Sequence, residues 1–192
     1  MKKPLLVMFS GKGGSGKTTM ARTIAGEFHM PYLDYDTLVQ PFLGAIESAY
    51  GLGDGDRYAF YRVWREPCYQ TLLAPTLENL GLGNDMVVSA PFSSEVRNRD
   101  FPARLQELSP RPFTMLLCHM APPDDQHFQM MKERNSRRDE DFLHDKNRFL
   151  QVYRTERPAW DDSLILILDS GNFDRNKHII EERILSLRRN SV

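Results

Sequence analysis

The chain has 192 residues, of which 41% are hydrophobic and 27% charged, as is ordinary for one soluble globular domain. Its formal net charge of −1 gives no overall positive field that would attract nucleic acid or an anionic membrane, and no apolar stretch is long enough to cross a bilayer. The two cysteines, Cys68 and Cys118, are predicted to be buried free thiols. We therefore expect a single cytoplasmic domain over residues 1–192 that does not bind membranes or nucleic acid.

Short apolar runs alternate along the chain with segments of helical periodicity. Met20, Ile24 and Phe28, for example, recur every four residues and indicate one face of a helix. The predicted strands are residues 5–9, 31–33, 86–90, 113–118 and 164–168, and the predicted helices include 38–50, 58–80, 97–108 and one that starts near 122. Strands separated by helices predict an α/β fold, a three-layer sandwich in which helices cover both faces of a five-stranded parallel sheet.

The segment "GKGGSGKT" at residues 11–18 fits the phosphate-loop pattern G-x-x-x-x-G-K-[ST], with an apolar run before it and a helical pattern after it. Glycines let the backbone curl so that successive amides face phosphate oxygens. Lys17 supplies a cation for the β- and γ-phosphates, and the Thr18 hydroxyl can bind Mg²⁺. No N-K-x-D motif for guanine follows the fourth strand, so a GTPase is not expected. The predicted nucleotide contacts in this loop are Gly11, Gly13, Gly14, Ser15, Gly16, Lys17, Thr18 and Thr19.

Two carboxylates, Asp34 and Asp36, lie 17 and 19 residues after Lys17. This spacing resembles that of small-molecule P-loop kinases of the nucleoside-monophosphate-kinase type, such as shikimate and gluconate kinases, where a D-x-D follows the second strand. The layout of residues 67–92 and 116–142 is similar to zeta-toxin-like and polynucleotide-kinase-like P-loop kinases. The resemblance implies a P-loop NTPase sandwich with an arginine-bearing lid and an activity that transfers the γ-phosphoryl group of ATP to a hydroxyl.

Kinase chemistry gives the two carboxylates different roles. We expect Asp36 to bind the acceptor and take its proton, and Asp34 to support Mg²⁺. On a strand, the i, i+2 spacing would place both side chains on one face. Asp36 could alternatively be a helix N-cap. Many of these kinases also carry an aspartate at the end of the third strand, where this chain has Ser89.

The charge-dense segment 132–148 is the predicted lid. Arg134 and Arg138 are four residues apart, so on a helix both would face the transferring phosphoryl group, and Arg137 could substitute for Arg138. Without the phosphate loop, charge alone would indicate a solvated helical face.

The acceptor is expected to bind between the second and third strands, in residues 37–80. The predicted contacts are Arg57, Tyr61 and Arg62, which lie near Trp64 in a region of aromatic and arginine residues. An aromatic stripe at helical spacing equally indicates core packing. The loop after the fifth strand, with Ser170, Gly171 and Asn172, is predicted to contact the adenine base, or else to be an ordinary turn capped by Asp174.

Two functions are therefore predicted. The first is an ATP-dependent kinase, with Lys17, Asp36, Arg134 and Arg138 as catalytic residues and a nucleoside, sugar acid or similar small molecule as acceptor. The second rests on Lys12, which occupies the place of the additional lysine in the deviant phosphate loop of partitioning and cell-division-positioning ATPases. That resemblance implies a homodimeric ATP switch. A polynucleotide 5′-kinase would need a basic groove, which the balanced composition does not indicate.

Overall fold

The computed structural model describes residues 3–50, 57–134, 143–153, 156–169 and 171–190. Five strands form one parallel sheet in the order β2-β3-β1-β4-β5. The strands are β1 (Leu5–Ser10), β2 (Tyr32–Asp34), β3 (Met86–Ser89), β4 (Thr114–Met120) and β5 (Ile165–Leu168). The predicted α/β fold with five parallel strands is confirmed.

Helices connect the strands and cover the sheet. They are α1 (Lys17–Glu27), α2 (Tyr35–Tyr50), α3 (Arg57–Leu82), α4 (Phe101–Leu108), α5 (Asp124–Arg134), α6 (Lys146–Tyr153) and α7 (Phe173–Arg189). Most boundaries lie within two residues of the prediction, and three features differ more. Helix α2 follows β2 directly, three residues before the predicted start, and α4 starts four residues later than predicted. Helix α5 ends inside the predicted lid and α6 begins within it, while residues 135–142 lie outside the described part of the chain.

The sheet separates two hydrophobic cores. Side chains alternate across a strand, so Val7 and Phe9 of β1 pack with α1 and α7, while Leu6 and Met8 pack on the other face with α3 and α4. All six residues of β1 are buried. Polar residues collect instead at the carboxyl ends of the strands, which is where open parallel sheets bind ligands.

Among the described residues, no helix combines the length and the apolar character that crossing a membrane requires.

Candidate functional site

The phosphate loop, residues 11–18, connects β1 to α1 and depends on glycine at several positions. Gly11, Gly14 and Gly16 have φ angles of 142°, 73° and 84°, which L side chains rarely adopt. A Cβ atom on Gly11 would also lie 2.7 Å from the Met120 carbonyl oxygen, and one on Gly14 would overlap the side chain of Met131. The loop therefore has its curled form because these three residues lack side chains.

Helix α1 begins directly at this loop. Its N-cap is Gly16, which has no side chain to accept from the first amides of the helix, and its first turn has no acidic residue. These amides and the positive end of the helix dipole suit an anion such as a phosphate. Lys17, the first residue of α1, is buried, with its Nζ 3.5 Å from the Lys12 carbonyl oxygen.

Asp34 connects the second strand to this loop. Its Oδ2 accepts hydrogen bonds from the Thr18 hydroxyl at 3.4 Å and the Tyr32 hydroxyl at 3.1 Å. Its Oδ1 accepts from the amide and the hydroxyl of Thr37, each at 3.0 Å, so Asp34 caps α2. Burial, with the charge of Asp34, raises the pKa of Tyr32 to about 12, so the phenol stays a donor to this carboxylate. The N-cap of α2 is therefore Asp34, and the alternative prediction that Asp36 is the cap is wrong.

Asp36 is not on a strand. Because β2 ends at Asp34, Asp36 lies in the first turn of α2, and the expected strand alternation of the two carboxylates is wrong. The helical turn nevertheless brings both carboxylates to the same place. Asp34 and Asp36 line one open cleft of about 550 Å³, the main cleft, together with Lys17 and Thr18. The Asp36 side chain is half-buried there.

Helix α5 also lines the cleft. Its last residue, Arg134, lines the cleft, whereas Arg137 and Arg138 lie outside the described residues. Two other residues of this cleft, Arg22 and Met130, were not predicted from the sequence, and Thr37 and Glu133 were included only within the predicted acceptor region 37–80 and lid 132–148. Arg22 could have been found, because it lies four residues after Thr18 on the same face of α1.

The donor set fits Mg²⁺. Thr18 and Asp34 offer a hydroxyl and a carboxylate, which are hard oxygen ligands. Within the described residues, no group of three or more His, Cys, Asp or Glu side chains could hold a metal ion. Mg²⁺ requires no such group, because it usually keeps several waters and binds one or two carboxylates together with substrate phosphates. Ser89 is buried at the end of β3, in register with Asp34.

A second, more apolar cleft of about 210 Å³ adjoins the phosphate loop. Its lining includes Met20, Met120, Met130, Leu168, Phe173, Thr19 and Gly171. Of the predicted base contacts, Ser170 lies outside the described residues. The Asn172 side chain accepts from the Arg175 amide at 3.0 Å and caps α7, so the cap predicted at Asp174 is wrong. The base contact at Asn172 stays a prediction, and of the described residues of this loop Gly171 lines the cleft.

Two of the predicted acceptor residues on α3, Tyr61 and Arg62, lie away from the cleft lining, and their role in acceptor binding stays a prediction. Tyr61 and Arg62 are exposed and do not line the cleft that contains Asp36, and the side chain of Arg57 is outside the described part of the structure. Trp64 packs with a small core between α2 and α3 that includes Leu43. Core packing, the alternative interpretation of this aromatic stripe, is therefore correct for Trp64.

A small cavity of about 40 Å³ also adjoins the phosphate loop. It is lined by Lys12, by Arg97 and Glu156, which form an ion pair at 2.6 Å, and by His119. His119 Nδ1 is 2.7 Å from the Ser10 hydroxyl, which joins the ends of β4 and β1. Burial lowers the pKa of His119 to about 4, so its imidazole is neutral at physiological pH.

Comparison with a known family agrees with this geometry. Residues 6–159 match the family AAA_33, which is described as an AAA domain. The chain belongs to this family. The P-loop domain of this family implies that the chain binds a nucleotide. The loop at residues 11–18 is the part that would hold the phosphates.

Solved structures share the fold over nearly the whole chain at low identity. A protein of Chloroflexus aurantiacus J-10-fl, provisionally assigned as a kinase, is 17% identical with a TM-score of 0.69, covering 97% of this chain and 98% of that one. A gluconokinase from Sinorhizobium meliloti 1021 is 20% identical with a TM-score of 0.56, covering 100% and 95%. Shikimate kinase from Bacteroides thetaiotaomicron is 15% identical with a TM-score of 0.52, covering 94% and 98%. No curated protein sequence matches significantly.

Proposed function

We propose that this AAA_33 protein is an ATP-dependent kinase that transfers the γ-phosphoryl group of ATP to a hydroxyl of a small molecule, such as a nucleoside or a sugar acid. The observation that carries the proposal is that the Asp36 carboxylate lines the same cleft as Lys17 and Thr18 of the phosphate loop. An ATP-binding site needs no carboxylate of this kind, whereas transfer to a hydroxyl needs a group that orients the acceptor and takes its proton. The names of the solved structures, gluconokinase and shikimate kinase, support this direction.

Each of the proposed catalytic side chains has one role in the transfer. The acceptor oxygen forms a bond to the γ-phosphorus while the bond from that phosphorus to the β–γ bridging oxygen breaks, and ADP leaves with the electron pair. Asp36 accepts the hydroxyl proton and later releases it to solvent. Lys17 and Arg134, which both line the cleft, offset the negative charge on the transferring group. We assign Arg138 the same role as a proposal from the sequence.

Thr18 and Asp34 would hold Mg²⁺, which when bound neutralises charge on the β- and γ-phosphate oxygens. The hydrogen bond between Thr18 and Asp34 holds these two ligands together.

In this proposal the adenine base enters the apolar cleft lined by Met20, Met120 and Phe173. Residues 1–192 act as one domain, with 132–148 as its lid. Of the acceptor region 37–80, Thr37 supports the proposal because it lines the main cleft.

The decisive experiment replaces Asp36 by Asn. The change keeps the size of the side chain but removes its basicity, so we expect kcat to fall by roughly 10²–10⁴-fold while the affinity for ATP changes little. ADP release is measured over a panel of nucleosides, sugar acids and aminoglycosides, and ATP affinity by calorimetry. The matched control is Asp100→Asn, an exposed carboxylate at the start of α4 that does not line the cleft. Transfer by D36N at the wild-type rate would rule out the proposed role of Asp36.

The alternative, a dimeric ATP switch, depends on Lys12. In this structure Lys12 lines the small cavity with Arg97 and Glu156 and does not line the main cleft. Lys12→Ala would abolish ATP-dependent dimerisation in a switch, whereas the kinase would lose little of its phosphotransfer activity. Light scattering with and without ATP distinguishes the two. A panel of acceptors that gives no ADP release, together with ATP-dependent dimerisation, would favour the switch.

A further inference from the structure

One face of α5 lies directly on the phosphate loop. His127, Met130, Met131 and Arg134 follow the helical spacing i, i+3, i+4, i+7, so they share that face. Met131 is fully buried and fills the space that a side chain on Gly14 would occupy, and Arg134 reaches the main cleft. Helix α5 is therefore packed against the backbone that would surround the phosphates.

His127 makes the polar contact of this packing. Its Nε2 is 2.7 Å from the carbonyl oxygen of Gly13, across 114 residues of sequence, and its side chain is 1% exposed. The ring packs edge-on against Phe149 of α6, with 5.3 Å between ring centroids. Because a carbonyl oxygen only accepts hydrogen bonds, Nε2 must carry the proton. Phe149 thus packs against the ring, and the Gly13 carbonyl determines which of its nitrogens donates.

The bond determines how the peptide between Gly13 and Gly14 is oriented. No peptide among the described residues is cis, and in a trans peptide the carbonyl and the amide point in opposite directions. With the Gly13 carbonyl held against His127, the Gly14 amide is directed away from α5. Gly14 itself lines the main cleft. Glycine on both sides would otherwise let this peptide rotate at little cost.

We propose that His127 is a positioning residue of the nucleotide site, which holds the Gly13–Gly14 peptide so that the Gly14 amide donates to a phosphate of the bound nucleotide. It acts through the loop and does not contact the nucleotide. The inference concerns nucleotide binding alone, so it stands or fails independently of phosphotransfer to an acceptor.

The surroundings of His127 favour a neutral donor. Burial lowers the pKa of His127, and the charges of Lys17 and Lys12 lower it further, against the opposing effects of the Gly13 carbonyl and Asp124. The imidazole therefore donates its hydrogen bond near the phosphate loop without adding a positive charge. The neutral ring still donates through Nε2, so a neutral donor of similar reach can replace it.

The first experiment compares His127→Gln with His127→Phe. Gln offers an amide donor near the position of Nε2, whereas Phe keeps a ring of similar shape without a donor. We expect H127F to bind ADP and MgATP roughly tenfold more weakly than wild type, and H127Q to stay within about threefold. Calorimetry gives the affinities, and inorganic tripolyphosphate tests whether the loss concerns the phosphates. His178→Phe, on an exposed histidine of α7, is the matched control.

Equal affinity of H127F and wild type would overturn the proposal, and so would an equal loss in H127Q and H127F, because ring packing would then explain the effect. A second measurement needs no variant. Nitrogen-15 NMR of imidazole-labelled wild-type protein at neutral pH is expected to show His127 with its proton on Nε2. A proton on Nδ1 alone would exclude the hydrogen bond to Gly13 and with it the proposed role, whether or not H127F folds.

Discussion

The Asp34 carboxylate accepts from the Thr37 amide at 3.0 Å and from the Thr18 hydroxyl at 3.4 Å. One side chain therefore connects the start of α2 with the phosphate loop. The two contacts require different properties of the residue. Capping needs only an oxygen acceptor, which Asn also provides, whereas binding Mg²⁺ favours a carboxylate. Substitutions at this position can separate the two roles.

We predict that Asp34→Ala lowers the free energy of unfolding by about 1–2 kcal/mol, because the Thr37 amide loses its acceptor, and also weakens the dependence of ATP binding on Mg²⁺. Asp34→Asn is expected to keep most of the stability and to lose the Mg²⁺ dependence. Urea denaturation and ATP titration at several Mg²⁺ concentrations measure the two effects separately. If D34N kept the full Mg²⁺ dependence, the Asp34 carboxylate would not be a metal ligand.

At the scale of single residues, the sequence predicted the phosphate loop because glycine, lysine and threonine at fixed spacing act within one turn of chain. It also identified Asp36, which the structure places in the main cleft. It did not predict that Asp34 caps α2, because the end of β2 and the start of α2 fall between two adjacent residues. Propensity does not define boundaries that sharply.

At the scale of elements, β4 and β1 are joined at their carboxyl ends by a buried pair of polar side chains, Ser10 and His119, 2.7 Å apart. Because burial disfavours the charged imidazole, His119 takes up a proton with a pKa of about 4 in the folded protein and near its usual 6.5 when unfolded. Between these two values the unfolded chain binds more protons. The free energy of unfolding must therefore fall as the pH falls through this range.

We predict that stability is lost between pH 6.5 and pH 4, by up to roughly 2–3 kcal/mol from His119. His119→Gln, which can still bond to Ser10, is expected to flatten this dependence without abolishing it, because the pKa of His127 is also lowered by burial. Guanidinium denaturation at pH 5 and pH 7 measures the difference. The exposed His178→Gln is the control. A pH dependence in H119Q as steep as in wild type would contradict the assignment.

The elements themselves were largely predictable, since apolar runs and helical periodicity are local patterns. The predicted lid, residues 132–148, lies partly outside the described residues. Helix α5 includes Arg134 and α6 begins at Lys146, and the lid between them stays a prediction.

At the scale of the whole molecule, the phosphate loop contacts parts of the chain that are distant in sequence. Gly11 lies against Met120 at the end of β4, and the Gly13 carbonyl contacts His127 of α5. A nucleotide in this loop would also be bounded by Asp36 of α2 and Arg134 of α5. Binding therefore depends on the packing of several elements and is expected to stabilise the folded chain as a whole.

We predict that MgATP at about 100 times its Kd adds about 2.7 kcal/mol to the free energy of unfolding, which for a chain of this size raises Tm by roughly 5–10 °C. Differential scanning fluorimetry measures the shift. Lys17→Met should abolish most of it, because it removes the cation expected to contact the β- and γ-phosphates. A shift of the same size in K17M would mean that the nucleotide binds elsewhere.

The sequence by itself determined the alternation of strands and helices, the curled loop at residues 11–18 and the presence of two carboxylates near it. These depend on residue type and on spacing over a few positions. Only the tertiary structure decided which side chains meet at the site: Arg22 and Glu133 line the cleft, His127 holds the loop, and Tyr61 and Arg62 remain at the surface. The physical reason is that such contacts depend on strand register and helix packing, which join residues as far apart as Gly13 and His127 and which no local pattern encodes.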